Sequence, residues 1–312
     1  MERKSSEGEQ FFIDYVRRGT TTFFGAPSVD LADPDALKDR RAVFLGVPYD
    51  GGTSQYSGAR YAPHSVRAAS IFAVKGEGMP WLLGGQAVDG GNLAAPMRDP
   101  VQMREVVEQG IATVLAAEGR PFIVGGDHSV TLPVLRALKR KLGPIAVVHV
   151  DAHPDTARGA EFFCADDYHH GAPLRHALEE GLIAPGQLHQ IGIRVGHDEE
   201  LAKKHGVVVY DMTEVQDRGI PIIMARVRAA VGSLPTYLTF DIDAVDPAFA
   251  PGTGTPACGG LTSREALRLV RSLKGMRLCG MDVVEVLPAL DHADLTSLLA
   301  ASLLMEGLCV VA

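Results

Sequence analysis

Short apolar runs bounded by glycine or proline alternate along the chain with segments of helical periodicity. The runs are continuously hydrophobic, which is typical of strands that are covered on both faces. Strands separated by helices indicate βαβ units and a parallel sheet, so the pattern predicts an α/β fold. The clearest runs span 42–47, 121–124, 145–150, 190–193, 207–210, 236–240 and 278–283.

Three helices are predicted from their periodicity and their end signals. In 103–115, apolar residues recur at three- and four-residue spacing. A second helix is predicted over 133–142, because Pro133 suits the first turn of a helix. A third begins after Thr262, since Thr262 and Glu265 have the spacing of a capping box.

The length and composition favour one globular domain. The chain has 312 residues, of which 46% are hydrophobic and 22% charged. This balance is typical of a protein with a large core, and single α/β domains reach this size. We expect one domain over 23–312, preceded by a polar segment, 1–22, that is loosely ordered.

Charge and cysteine content argue against several classes of protein. The net charge is −8 and no Lys/Arg-rich tract stands out, so we expect no nucleic-acid partner. No stretch has the apolar length of a signal peptide core or a membrane span, so we expect a cytoplasmic protein with no membrane partner. The four cysteines are scattered, which argues against disulfides and thiolate zinc sites.

Side chains that bind metals follow three of the apolar runs. The carboxyl ends of parallel strands meet at one edge of a sheet, so we expect these side chains to form one site. Extended backbone also places residues i, i+2 and i+4 on the same side. The groups are Asp127 and His128 after 121–124, Asp151, His153 and Asp155 after 145–150, and Asp241 and Asp243 after 236–240.

This concentration of carboxylates indicates bound cations. Four or more carboxylates packed together would keep some of their protons, whereas two divalent cations cancel four negative charges. One such group alone would be interpreted as an exposed turn, but three on successive strand ends favour a metal centre. Aspartate and neutral histidine favour Mn²⁺, whereas zinc is selected by Cys-rich sets of ligands. Ni²⁺, Co²⁺ and Fe²⁺ remain open as alternatives.

The same segments resemble the three signatures of the ureohydrolases, the arginase and agmatinase family. Supporting matches lie at 24–27, 47–52, 58–60 and 285–288 and at Thr296, so the resemblance covers nearly the whole chain. It implies a three-layer α/β/α fold with a central, mostly parallel sheet, assembled as a homotrimer or homohexamer. The signatures are GGDHS at 125–129, DAHPDT at 151–156, and FDIDAVDP at 240–247 with PGTGTP at 251–256.

The resemblance also implies how two metal ions are held and used. A hydroxide shared by the two cations would attack the carbon of a small guanidino substrate, releasing urea and an amine. One ion would be bound by His128, Asp151, Asp155 and Asp241, and the other by Asp151, His153, Asp241 and Asp243, with Asp151 and Asp241 bridging.

Catalytic roles follow for two further residues. Glu285 resembles the family residue whose carboxylate faces the guanidinium group. His170 matches the family's x-His-Gly segment and would deliver a proton to the leaving amine, with His169 as the alternative. We expect His149 to be a packed residue or a support for the ligands rather than a ligand itself.

The substrate is less closely defined by the sequence. Residues 161–168 do not resemble the polar loop of arginases, so the chain is agmatinase-like and is expected to convert agmatine to putrescine and urea. Asp166 and Asp167 would favour a cationic substrate tail. The loop after Arg194 is shorter than in relatives, which leaves guanidinobutyrate, guanidinopropionate and guanidine itself open, as well as a formimino or amide substrate. An inactive structural or regulatory subunit is the alternative from another class.

Overall fold

Eight parallel strands form one sheet in the computed structural model, which describes residues 22–73, 85–158, 167–196 and 198–312. The predicted loosely ordered segment lies outside the described residues, apart from Thr22. The strands are β1 (Ala42–Gly46), β2 (Ala87–Asn92), β3 (Arg120–Val124), β4 (Ile145–Val150), β5 (Ile183–Ile193), β6 (Val208–Asp211), β7 (Thr236–Asp241) and β8 (Leu278–Val284). They pair in the order β2-β1-β3-β8-β7-β4-β5-β6.

All seven strands predicted from apolar runs are present, and one strand was missed. β2 has the sequence AVDGGN, which is too polar and too rich in glycine to stand out as a strand. It lies at one edge of the sheet, where only one neighbour covers it. β5 begins seven residues before its predicted start, at Ile183 rather than at Gln190, because the sheet accommodates Pro185 and Gly186 near its other edge.

Helices cover both faces of this sheet. The three predicted helices are confirmed as α3 (Pro100–Ala116), α4 (Thr131–Leu142) and α9 (Ser263–Arg271). Helix α4 begins two residues before its predicted start. The capping box is also present, since the Glu265 N–H donates to Thr262 Oγ1 and the Thr262 N–H to Glu265 Oε2. The described helices are α1 (Pro34–Leu37), α2 (Ala62–Ser70), α3 (Pro100–Ala116), α4 (Thr131–Leu142), α5 (Pro173–Glu179), α6 (Glu199–His205), α7 (Met212–Arg218), α8 (Ile220–Val231), α9 (Ser263–Arg271) and α10 (Leu295–Val311).

Two hydrophobic cores lie on opposite faces of the sheet, which makes the protein a three-layer α/β/α structure. Within β4, Val148 and Val150 belong to one core and Val147 to the other, as the alternation of side chains along a strand requires. Side chains from α2, α7, α8, α9 and α10 fill the first core, and side chains from α1, α3, α4, α5 and α6 fill the second. The expected fold is therefore confirmed. Within the described ranges, no helix combines the length and the apolar character that a membrane span requires.

The strand order decides where the predicted chemistry collects. β3, β8, β7 and β4 are the four central strands and are consecutive neighbours. The predicted metal-ligand residues and Glu285 lie in the loops that follow these strands, apart from Asp241, which is the last residue of β7. These strands are far apart in sequence, so only the folded sheet brings their carboxyl ends together.

Candidate active site

The loop after β3 is held by a close backbone contact with the loop after β1. The Asp127 N–H donates to Tyr49 O at 2.9 Å, and a Cβ at Gly126 would lie 1.5 Å from the same oxygen. Only glycine fits this approach. The buried Asp127 carboxylate also accepts from Gly52 N at 2.7 Å. Burial, followed by the charge of Glu285, raises the pKa of Asp127 to about 7. Asp127 therefore joins the two loops.

Three carboxylates surround the imidazole of His128, a residue with no exposed surface. Its Nδ1 lies 2.8 Å from Asp155 Oδ2, 3.1 Å from Asp151 Oδ2 and 3.2 Å from Asp241 Oδ2. Among the described residues, this Nδ1 has no hydrogen-bond partner. Ligands about 2.1 Å from an octahedral ion lie about 3 Å apart, so this arrangement fits a divalent cation.

A second group of donors lies beside the first and shares Asp151 with it. His153 Nδ1 is 3.0 Å from Asp243 Oδ2 and 3.5 Å from Asp151 Oδ1. Asp151 thus offers one oxygen to each histidine. Asp241 differs, because its Oδ1 accepts a hydrogen bond from Asp243 N at 2.9 Å. The structure therefore brings all six predicted ligands together, with Asp151 between the two groups.

The electrostatics of these donors also suit cations. Burial, followed by the charges of Asp243 and Asp151, holds the pKa of Asp241 well above its usual range. Burial and Asp151 raise the pKa of Asp243 to about 6. Burial alone would lower the pKa of His153, but Asp151 and Asp243 raise it to about 12. Asp241, Asp243 and His153 thus bind protons more tightly than usual, and divalent cations would take the place of these protons.

His149 supports Asp151 from inside the sheet. Its Nε2 lies 2.7 Å from Asp151 Oδ2, and its Nδ1 accepts from Gln190 Nε2 at 3.0 Å. The second contact leaves the proton on Nε2, which therefore donates to the carboxylate. Gln190 Nε2 also donates to Pro154 O at 2.7 Å, and this contact fixes the orientation of the Gln190 amide group. This geometry favours the interpretation of His149 as a support for the ligands. The sequence analysis missed Gln190.

His170 and Glu285 form a buried ion pair next to the metal-ligand residues. His170 Nδ1 lies 2.9 Å from Glu285 Oε1. On the other side of the ring, His170 Nε2 lies 2.8 Å from Ser54 Oγ. Burial alone would lower the pKa of His170, but Glu285, Asp127 and Asp155 raise it to about 9. Ser54 was missed because it lies just beyond the matched segment 47–52.

Two of these residues have strained backbones. Asp155 has a φ of 48° and Glu285 a φ of 62°, in the left-handed region that side chains with a Cβ rarely occupy. Such strain costs about 1–3 kcal/mol per residue and often marks functional positions.

A cavity of about 680 Å³ opens over this site. His170 lines it, whereas the alternative proton donor His169 does not. Thr255, from the glycine-rich loop 251–256, also lines it and donates to Asp243 Oδ2 at 3.2 Å. Further lining comes from His153, Asp155 and Asp241, from Ser54, and from Asp198, Glu199 and Glu200 after the short loop that follows β5.

Asp166 and Asp167 are the two loop acids that were expected to attract a cationic substrate tail. Asp167 is exposed and does not line the cavity. Asp166 lies outside the described residues, as do the rest of 159–166 and His197. Apart from Asp155 and Asp241, the described acids that line the cavity are instead Asp198, Glu199 and Glu200, at and after the N-cap of α6.

Known proteins resemble this chain along most of its length. The profile of the Arginase family matches residues 40–309. The agmatinase of Cronobacter sakazakii is 44% identical over 280 residues, which cover 88% of each chain. The proclavaminate amidino hydrolase of Streptomyces clavuligerus has a TM-score of 0.85 at 39% identity and covers 94% of this chain and 97% of its own. A hypothetical agmatinase from Burkholderia thailandensis has a TM-score of 0.85 at 38% identity, covering 94% of this chain and 90% of its own.

These matches agree with the resemblance seen in the three signatures. The matched residues 40–309 include every donor described above, together with His170 and Glu285. A family match over more than half of the chain and a relative above 40% identity point to the same group of proteins. The chain therefore belongs to the arginase family.

Proposed function

We propose that this protein hydrolyses agmatine to putrescine and urea with two divalent metal ions. The observation that carries the proposal is Asp151, whose two oxygens face His128 and His153 beside a cavity that His170 also lines. The agmatinase relative at 44% identity supports agmatine as the substrate.

The two ions would be held by six side chains. His128 supports this assignment most directly, because its buried Nδ1 has no hydrogen-bond partner among the described residues while three carboxylate oxygens face it. The oxygen-rich donor set favours Mn²⁺, with Ni²⁺ and Co²⁺ as alternatives. We assign His128, Asp151, Asp155 and Asp241 to one ion and Asp151, His153, Asp241 and Asp243 to the other.

When bound, the ions would acidify water and supply a nucleophile at neutral pH. The protein supplies orientation and protons. Glu285 Oε1 already accepts from His128 N at 2.9 Å and lies beside His170, so Oε2 is the oxygen we assign to the N–H edge of the guanidinium. This arrangement orients the planar group next to the ligand cluster.

His170 would protonate the leaving amine. Its pKa of about 9 keeps the ring protonated at neutral pH, as a general acid requires. Glu285 on one nitrogen and Ser54 on the other fix the plane of the ring. The cavity gives His170 access to the substrate, and this is the reason for preferring it to His169.

The tail of the substrate is assigned from the charge of the cavity wall. Asp198, Glu199 and Glu200 line the cavity and place negative charge on this side of it. A cationic amine is attracted by this wall, whereas a carboxylate tail is repelled. Asp198 is neutralised in part by Arg175 Nη2 at 2.6 Å, so Glu199 and Glu200 contribute most.

A urea-release assay tests the proposal. Purified protein loaded with Mn²⁺, Ni²⁺ or Co²⁺ is offered agmatine, guanidinobutyrate, guanidinopropionate, arginine and guanidine. We expect urea from agmatine in the metal-loaded protein and none from an Asp243→Asn variant. Urea from a carboxylated guanidine but not from agmatine would overturn the substrate, and urea from none of them would favour an inactive relative.

We propose further that residues 23–312 act as one domain and that the protein works in the cytoplasm as a homotrimer or homohexamer. The single sheet and the two cores that enclose it support the domain assignment. Light scattering on the purified protein would give the number of subunits, and a monomer would contradict the assembly.

A further inference from the structure

A buried chain of hydroxyl groups lies behind His128, on the side away from the carboxylates. His128 Nε2 lies 2.8 Å from Thr239 Oγ1 on β7. Thr239 pairs directly with Asp282 on the neighbouring strand β8, and its hydroxyl lies 3.4 Å from Thr131 Oγ1, which donates to Asp282 Oδ2 at 2.8 Å. None of these four side chains has exposed surface.

Two hydroxyls converge on Asp282. Tyr237 OH and Thr131 Oγ1 each donate to Asp282 Oδ2 at 2.8 Å. The other carboxylate oxygen, Oδ1, has no partner among the described residues. A carboxylate buried in the centre of a sheet costs free energy, and hydroxyl groups alone compensate it only in part. Its position therefore calls for a nearby positive charge.

The cation of the proposed metal centre would supply this charge from the far side of His128. The path runs from Asp282 through the Thr131 and Thr239 hydroxyls to His128 Nε2, while His128 Nδ1 faces Asp151, Asp155 and Asp241. One imidazole thus connects the buried carboxylate with the ligand cluster.

We propose that Asp282, acting through Thr131 and Thr239, is a positioning residue that orients His128 as a metal ligand. The inference rests on the metal centre of the proposed function. Because Thr131 donates its proton to Asp282, the Thr239 hydroxyl donates to Thr131 and has its lone pairs left for His128, so it accepts the proton of Nε2. The lone pair of Nδ1 is then directed at the cation, and the negative charge behind the ring makes this nitrogen a stronger ligand.

A purely structural role for the network leads to different expectations. In that case each hydroxyl would stabilise the packing of β7, β8 and α4, and removing any of them would lower the melting temperature without changing ion affinity. In the positioning role, only the hydroxyls on the path to His128 affect the ions. Tyr237 and Thr239 separate these cases, because both belong to the network around Asp282 but only Thr239 contacts His128.

The test compares four variants by metal titration and by melting of the metal-free protein. Thr239→Val removes the hydroxyl that contacts His128, and Thr239→Ser restores it. Asp282→Asn removes the negative charge of the buried carboxylate, and Tyr237→Phe is the matched control. Mn²⁺ affinity is measured by calorimetry, and Co²⁺ binding by its visible absorption spectrum, so neither readout requires turnover.

We expect Thr239→Val to weaken one of the two ion sites by about 10- to 100-fold and to change the Co²⁺ spectrum. Asp282→Asn should act in the same direction, Thr239→Ser should restore the affinity, and Tyr237→Phe should leave it unchanged. Unchanged affinity in Thr239→Val, or equal losses in Thr239→Val and Tyr237→Phe, would overturn the inference. If the wild-type protein binds two ions and releases urea in that case, the proposed function stands; if it binds none, both fail.

Discussion

Glu285 Oε1 lies 2.9 Å from His170 Nδ1, and the same oxygen accepts the backbone N–H of His128 at 2.9 Å. One carboxylate oxygen thus joins the proposed proton donor to the loop that carries the proposed metal ligand His128. Glu285 makes both contacts from a left-handed backbone, with a φ of 62°. The charge of Glu285 should therefore control the protonation of His170.

The first prediction concerns this ion pair. The pKa of His170 is raised from 6.5 to about 9, so the interaction stabilises the fold fully below about pH 6.5 and is lost as the pH rises through about 9. In Glu285→Gln the pKa of His170 should fall, since the negative charge is gone. Histidine NMR titration of the metal-free protein measures both values, with His64, on the exposed surface of α2, as the internal control. An unchanged titration of His170 in Glu285→Gln would contradict the assignment.

The second prediction concerns Ser54. Its hydroxyl lies 2.8 Å from His170 Nε2, so Ser54→Ala should misorient the ring and lower kcat about 10-fold with a smaller change in KM. Ser57 lies in the same loop, contacts Thr53 and does not line the cavity, so Ser57→Ala is the matched control. Steady-state urea release gives both constants. Equal activity in the two variants would argue against a role for Ser54.

The third prediction is that Asp241→Asn raises the melting temperature of the metal-free protein but reduces the stabilisation by Mn²⁺. The pKa of Asp241 is raised by burial and by Asp243 and Asp151, so ionisation of Asp241 destabilises the metal-free fold as the pH rises above about 4. At pH 8, Asp241→Asn should melt about 2 °C or more above the wild type without metal. With Mn²⁺ it should gain less than the wild type gains, because a ligand is lost.

Calorimetric melting with chelator and with Mn²⁺ checks this prediction. Asp217→Asn, at an exposed position of α7, is the control for the loss of a carboxylate. A lower melting temperature of metal-free Asp241→Asn would mean that the carboxylate cluster does not repel itself as the structure indicates.

The fourth prediction concerns the cavity wall. Replacing Glu199 and Glu200 together by glutamine removes two negative charges from it, so KM for agmatine should rise several-fold while kcat changes little. The effect should shrink at high salt, since exposed charges are screened. Glu105→Gln, at an exposed position of α3, is the control. A fall in KM for guanidinobutyrate would support the charge argument, whereas an unchanged KM for agmatine would refute it.

The local pattern was sufficient to predict much of the sheet. Seven strands were predicted from continuous apolar runs, because a strand buried on both faces must be hydrophobic along its whole length. The missed strand β2 lies at the edge, and its buried Asp89 is paired with Arg67 Nε at 2.9 Å, a contact that no local pattern shows. The capping box at Thr262 was also predicted from a local pattern, since the two residues that form it are three positions apart.

The sequence by itself identified the residues proposed to bind the metal ions, because each group of them lies within a few residues at the end of one strand. The tertiary structure alone decided that β3, β8, β7 and β4 are neighbours, and with that which other residues act on the site. Ser54, Gln190 and Asp282 come from distant segments with no motif of their own, so no local pattern could connect them with His170, His149 and His128. Their contacts exist only because the strand order places separate chain segments within hydrogen-bonding distance.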